Sequence, residues 1–416
     1  MKYIMTLAIS MALASITQLA QASEGCSINR ASDVLNCALE QHPSLLQAKS
    51  QISISSINQD LANRWLSPSL EVSGGYNQED DDLRGFEIDV AIMQPLETLT
   101  KRQARIKKAQ TEFAAATTSL EGQKEITAFQ VMTLLNRLRQ IAKERGVLIE
   151  ITKTFSDVIQ KYKARPALTP EDKISLDLFQ FAFNNYQLEK NQLAVEEKGY
   201  LNNLKAILNV PFSVTEKIFY YPPRQWPTLT SITLAEDNVD LAQERINIAR
   251  ARVDFLEAQA SAFSGLSIGP YIQTRPGNVG RIDVYGLKFS LPLPLYSNAK
   301  PVTAGNLAVW AAEQSYEAKK RELSHSLVGL QEQYILGVSA LKQYDIDKIE
   351  KQHAQIEELF KTGRVSGALL IEAHRQMSDN VKIYHQYELD TLQALWKIYA
   401  GQRKLLSSLN EVCYEK

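Results

Sequence analysis

The chain has little of what metal centres and nucleophilic sites are made from: three cysteines and five histidines in 416 residues. No G-x-S-x-G elbow, phosphate-binding loop or metal-ligand spacing occurs, so catalysis and cofactor binding have no motif to rest on. His374 and His385 fall about 16 Å apart along one expected helix, too far to share an ion, and His42, His325 and His353 are scattered. After residue 22 only Met93, Met132 and Met377 remain, which excludes a methionine ladder for soft metals. A metal cargo would be passed without being held. Beyond the first residues there is no run of eighteen apolar residues, so any entry into a membrane must use strands. Charge of neither sign dominates, with 46 basic and 47 acidic residues and no like-charge block, and nucleic acid is not expected as a partner.

Residues 1–22 combine Lys2, an apolar stretch interrupted by Thr6, Ser10, Ser15 and Thr17, and Ala20-Gln21-Ala22, which reads as a secretory signal. Residues 23–42 form the N-terminal segment of the exported chain. In an oxidising compartment a cysteine pair would bridge. Cys26 and Cys37 are nearest in sequence, and Cys37 with Cys413 stays open as the alternative.

The fourteen prolines leave two stretches almost untouched, 101–165 and 299–363, the second holding only Pro301 in its first turn. In the first, Ile106, Ala109, Phe113, Ala116 and Leu120 alternate at spacings of three and four; Val131, Leu134, Leu138, Ile141 and Leu148, Ile151, Phe155, Val158, Tyr162 continue the pattern. Leu323, Leu327, Leu330 and Tyr334 repeat it in the second. This heptad spacing predicts long coiled-coil helices. Each ends in a turn and restarts, with return helices at 171–209 and 368–406. Thr169 and Ser366 are the expected caps, and Pro170, Glu171 and Asp172 suit a first helical turn.

Shorter helices at 43–65 and 234–262 precede the long ones, so that entry plus return helix matches one long helix in each half. The break between them belongs at one level, together with the proline-rich connection 210–233. Between entry and long helix lie two β-hairpins, about 66–96 and 264–295. In 87–92 the acids and the apolar residues alternate, while Tyr285, Leu287, Phe289 and Leu291 make one oily face, as in transmembrane strands of ~10 residues. The first repeat (43–209) and the second (234–409) are offset by about 196 to 199 residues, pairing Pro95-Leu96 with Pro294-Leu295 and Arg165 with Arg364; a tail follows at 410–416.

With His42-Pro43, Pro68-Ser69-Leu70, Gln94-Pro95-Leu96-Glu97, Lys101-Arg102-Gln103-Ala104-Arg105, Gly286-Leu287, Leu291-Pro292-Leu293-Pro294-Leu295 and Gly363 in this order, the chain resembles the TolC-like outer-membrane efflux family, in its heavy-metal and cation branch. Thr100 departs from the glycine usual there. The resemblance implies a mainly α protein with a membrane β portion. Three protomers would give four strands each to a twelve-stranded barrel, continuous with a long periplasmic α-helical coiled-coil barrel. It implies a homotrimer in outer-membrane lipid, serving as exit duct for metal cations or small toxic compounds. A periplasmic adaptor and an inner-membrane pump of RND type would deliver them; the channel of a type I secretion system is the alternative. An adaptor itself would flank one hairpin with β domains, and a purely structural coiled coil would lack the strands. Some relatives carry a lipid on a cysteine such as Cys26, against which Glu24 stands where a small residue is wanted.

The resemblance places the turns at the narrow periplasmic end. Glu171, Asp172 and Glu372 are candidate gate charges or dipole complements of helix starts. Arg165, Pro166, Gly363, Arg364 and Gly367 mark turns that would dock the adaptor. Lys101, Arg102 and Arg105 read equally as a basic ring near the tunnel or as a solvated first turn.

Overall fold

The computed structural model of the protein describes Cys26 and residues 28–78, 84–208, 218–229, 232–260, 265–277, 280–291, 299–344 and 346–413. α1 (Ala31–Gln41) precedes the first repeat, which contains α2 (Pro43–Asn63), β1 (Ser69–Gln78), β2 (Arg84–Pro95), α3 (Leu99–Lys163) and α4 (Pro170–Leu208). The second contains α5 (Val239–Ala260), β3 (Ser267–Gly277), β4 (Gly280–Ser290), α6 (Ala299–Gln343), α7 (Ile346–Lys361), α8 (Gly367–Gly401) and α9 (Leu405–Cys413). Among the described residues no helix is long and apolar enough to cross a membrane.

Local chemistry sets the ends of these helices. His42 accepts the Ser44 N–H at 3.2 Å through Nδ1 and Pro43 fills the first turn of α2. Thr98 caps α3 by accepting from Lys101 N–H at 3.3 Å, so the bend after β2 is made without glycine at position 100. The helix then runs 65 residues, or about 97 Å. Thr169 and Asp172 exchange side-chain and backbone hydrogen bonds at 3.1 and 3.4 Å, a capping box that starts α4. Ser366 starts α8 by accepting from Leu369 N–H. α2 and then α4 pack along α3, while α5 and α8 pack along α6, with α7 continuing against α8.

Two expected helices differ. The long helix 299–363 is described as two helices, α6 ending at Gln343 and α7 beginning at Ile346. The return helix 368–406 stops at Gly401, because Arg403 takes a left-handed φ of 57°. Arg403 and Lys404 then donate backbone bonds to the Ala400 and Tyr399 carbonyls, and α9 starts afresh. The segment 23–42 holds a helix, α1, tied by a Cys26–Cys37 disulfide with Cα atoms 5.8 Å apart; the Cys26 sulfur is thereby taken, and Cys37 is not joined to Cys413. Residues 1–25, residue 209 at the end of the expected return helix, 210–217 and 230–231 of the connection, 292–295 of the second hairpin and 414–416 of the tail lie outside the described residues.

The largest core forms a belt where α1 and the return helices α4 and α8 pack around α3. Leu35 and Ala38 of α1, Val131, Leu135 and Leu138 of α3, Leu204 and Leu208 of α4, and Trp396 of α8 are buried together. Trp396 lies edge-on between Phe129 and Tyr220, with ring centroids 5.8 and 5.5 Å away. The connection closes the belt, with Tyr334 donating to the Pro227 carbonyl at 2.7 Å and meeting the Trp226 ring edge-on. Beside it runs a buried polar chain. Arg139 pairs with Glu388, Gln140 donates to Glu388 at 3.0 Å and to the His385 carbonyl at 2.8 Å, and His385 Nδ1 meets Glu144 at 2.7 Å. Burial works to raise the Glu144 pKa, yet hydrogen bonds from His385 and Arg137 hold it below the usual carboxylate value. A second cluster, with Ile151, Phe155, Phe179 and Leu370, fills the helices toward the turns.

Candidate functional site

The four strands form one antiparallel sheet in the order β1-β2-β3-β4, leaving β1 and β4 as edges within the chain. The register puts Val72, Val90, Ile272 and Tyr285 in one row across it. Because side chains alternate along a strand, Leu70, Ile88, Ile92, Ile268, Leu287 and Phe289 share that face, and all of them are exposed in the single chain. Toward the strand ends Tyr76 and Phe86 meet edge-on with centroids 5.5 Å apart.

The opposite face is wet and concave. Glu71, Ser73, Asp89, Tyr271, Gln273 and Lys288 line a hollow of about 660 Å³. Lys288 of β4 reaches Glu71 of β1 at 2.8 Å, linking the two edge strands over the hollow. Curling the sheet this tightly brings β2 onto β3: a Cβ at Gly269 would lie 1.8 Å from the Ile92 carbonyl oxygen. One face therefore suits hydrocarbon and the other water.

Below the sheet, Arg102 and Arg105 serve the end of α2. Arg105 donates to the Ala62 and Arg64 carbonyls at 2.8 and 3.1 Å and forks onto Glu97, while Arg102 donates to the Asn63 carbonyl and stacks over Trp65. They satisfy carbonyls that a helix C-terminus leaves without partners, in place of forming a free basic ring.

At the far end two of the three candidate gate charges, Asp172 and Glu372, are paired within the chain. Arg165 meets Asp172 at 3.0 Å and stacks on Tyr162. Glu372 accepts a two-pronged bond from Arg375 at 2.7 and 2.9 Å and another from Gln376; these bonds pull its pKa to about 2. Glu171 makes no ion pair among the described residues. Gly363 holds a φ of 74° and closes the α7–α8 turn, with its own N–H and that of Arg364 bonding the Phe360 and Leu359 carbonyls. Arg364 is exposed, as are Pro166 and Ala167. Gly367 lies under Phe179, whose ring would stand 2.7 Å from any Cβ there.

Two features escaped the sequence reading. Ile174, Phe181, Leu188 and Val195 of α4 recur every seven residues and are exposed, Val195 by 74%; this second seam was visible as a heptad and faces away from α3. The histidines are also not all scattered, since the rings of His353 and His374 stand 4.4 Å apart.

The architecture is shared with solved structures. The open state of the Neisseria gonorrhoeae MtrE outer membrane channel matches with a TM-score of 0.69 and 14% identity, over 91% of this chain and 90% of that one. The Campylobacter jejuni CmeC outer membrane channel matches at 0.66 and 12%, over 92% and 89%. CusC, described for its transmembrane channel formation, matches at 0.64 and 14%, over 90% and 92%. No protein-family model and no curated protein matches the sequence. The mostly helical chain with one four-stranded antiparallel sheet thus has the fold of outer-membrane channels, and the likeness does not favour CusC over the others.

Proposed function

We propose that this protein is the outer-membrane exit duct of an efflux system, working as a homotrimer with most of each chain in the periplasm. The observation that carries this reading is the two-faced sheet. Its outward face is apolar and uncovered, its concave face is polar, and its edges are open. Lipid tolerates neither unpaired edge groups nor an open sheet, so strands of several copies must close the ring. Three copies give twelve strands.

The exposed α4 seam supports the same assembly, because its seven-residue repeat is the pattern that packs one helix against another. Neighbouring protomers supply those helices, and the described helices extend the barrel as a periplasmic tunnel. The mixed-sign hollow passes hydrated solutes, metal cations or small toxic compounds, without catalysis. A periplasmic adaptor docks at the turns and hands over cargo from an inner-membrane pump of RND type.

The test is fractionation followed by unboiled gel electrophoresis. The protein is expected in outer membranes as a heat-dissociable trimer, and recovery as a periplasmic monomer would reject the reading. Cysteines at Ala167 and Arg364, both exposed, are expected to crosslink to the adaptor in cells.

A further inference from the structure

The hairpin of α7 and α8 brings three metal-ligating side chains together just above its turn. His353 and Glu357 are one helical turn apart on α7 and so share a face. His374 enters from α8; it stands eleven residues after Gly363 and His353 stands ten before, so the antiparallel helices set them opposite each other. One donor atom from each of His353, Glu357 and His374 lies within 4.8 Å of the other two.

The hydrogen bonds around these groups leave the donors aimed at one another without a proton to share. His374 is fully buried, and its Nδ1 lies 2.9 Å from the Leu370 carbonyl, which can only accept. Nδ1 therefore carries the proton, and in the neutral ring Nε2 presents a lone pair. That lone pair faces Glu357 Oε1 at 3.1 Å without hydrogen-bond geometry, a contact between two acceptors. His353 Nε2 is likewise buried with no hydrogen-bond partner among the described residues. Thr154 of α3 donates to the same Glu357 oxygen at 3.4 Å, and the Phe155 ring walls His374 at a centroid distance of 5.0 Å.

We infer that His353, Glu357 and His374 form a binding site for a transition-metal dication of the zinc type. Two imidazoles and a carboxylate suit zinc and its neighbours, and three protein ligands leave one position for water. Zinc bonds of ~2.0 to 2.1 Å need ligand atoms about 3.4 Å apart, so side-chain shifts of an ångström or so complete the site. The Leu370 carbonyl already supplies the outer contact that fixes the tautomer of a ligating histidine. The bound ion clamps α7 to α8 about 15 Å above the Gly363 turn at 1.5 Å per residue. The site rests on this chain's own side chains and stands whether or not the duct reading holds.

The test uses the purified full-length protein, stripped with chelator and titrated with Zn²⁺ in competition with a chromophoric chelator. Co²⁺ serves as an absorbing probe of ligand geometry. One Zn²⁺ per chain is expected, with affinity falling about tenfold or more in each of His353→Gln and Glu357→Gln. Both positions are only partly buried, and unboiled gels check that each variant still assembles as the wild type does, so a folding failure at buried His374 does not enter. Absence of Zn²⁺ binding, or binding that either substitution leaves unchanged, would overturn the site.

Discussion

The sheet and the belt use opposite arrangements of the same residue types. In the belt, Leu135, Leu204 and Trp396 are buried within one chain, and charges such as Arg139 and Glu388 are buried with them. In the sheet, Leu70, Leu287 and Phe289 are exposed, while Glu71 and Lys288 face each other over a wet hollow. The belt completes its burial inside the protomer. The sheet leaves its apolar face for another phase, so its stability depends on what surrounds it.

Two ion pairs probe this contrast. Breaking the Arg139 pair with Glu388→Gln is expected to destabilise the helical part by about 3–5 kcal/mol, because it strands a buried charge. Helical circular dichroism during denaturant unfolding measures it, and pairing the change with Arg139→Met should recover most of the loss. Lys288→Met removes an exposed pair from the hollow and is expected to leave the unfolding midpoint nearly unchanged. Equal costs would erase the distinction between the two regions.

The next test inserts a charge on each face of the sheet. Val90 sits in the central row of the outward face, whereas Ser73 points into the hollow and donates to Asp89 at 3.4 Å. Val90→Arg is expected to cost about 2–4 kcal/mol when the protein is folded in lipid vesicles. Ser73→Arg is expected to be nearly neutral. If both were equally tolerated in lipid, the outward face would not meet hydrocarbon.

Much of this contrast was legible in the sequence, since a period of two or of seven states which face is apolar. Tyr285, Leu287, Phe289 and Leu291 alternate on β4, and Val131, Leu138, Ile151 and Phe155 follow heptads on α3. What periodicity does not state is which partner covers a face. The α4 heptad at Ile174, Phe181, Leu188 and Val195 is as regular as the buried one and remains exposed. The fate of long side chains was equally hidden: Arg105 reaches back 43 residues to the Ala62 carbonyl, a contact set by the approach of two helices. At the end of α8 the glycine, Gly401, lies inside the helix and the left-handed position falls to Arg403, whose side chain is held by ion pairs to Glu121 and Glu125 at 3.4 and 2.6 Å.

Gly363 tests the turn end with a smaller effect. At a φ of 74°, an added Cβ crowds the following carbonyl, so Gly363→Ala is expected to cost about 1–2 kcal/mol. Thermal unfolding of the helices measures it, and an unchanged midpoint would mean that the turn adopts another conformation in solution.

The last test concerns the proposed gate, where the stability cost is least and the electrostatic consequence is distinct. Asp172 and Glu372 each have a cationic neighbour in their own chain, so Asp172→Asn removes a charge and also releases Arg165. In a trimer that swing repeats three times around the axis, and summed charges at a constriction set ion preference. Both pairs are exposed and screened by water, so folding should persist. Planar-bilayer conductance of Asp172→Asn with Glu372→Gln is expected to show a weaker cation preference than wild type. The pH dependence gives an independent check. Glu372 has its pKa depressed to about 2 by Arg375 and Gln376, so its charge is present above that value and lost only as pH falls through it. Its share of the preference is therefore expected to survive at pH 4. Selectivity unchanged by the double substitution would place these carboxylates away from the ion path and leave Glu171 as the charge to test next.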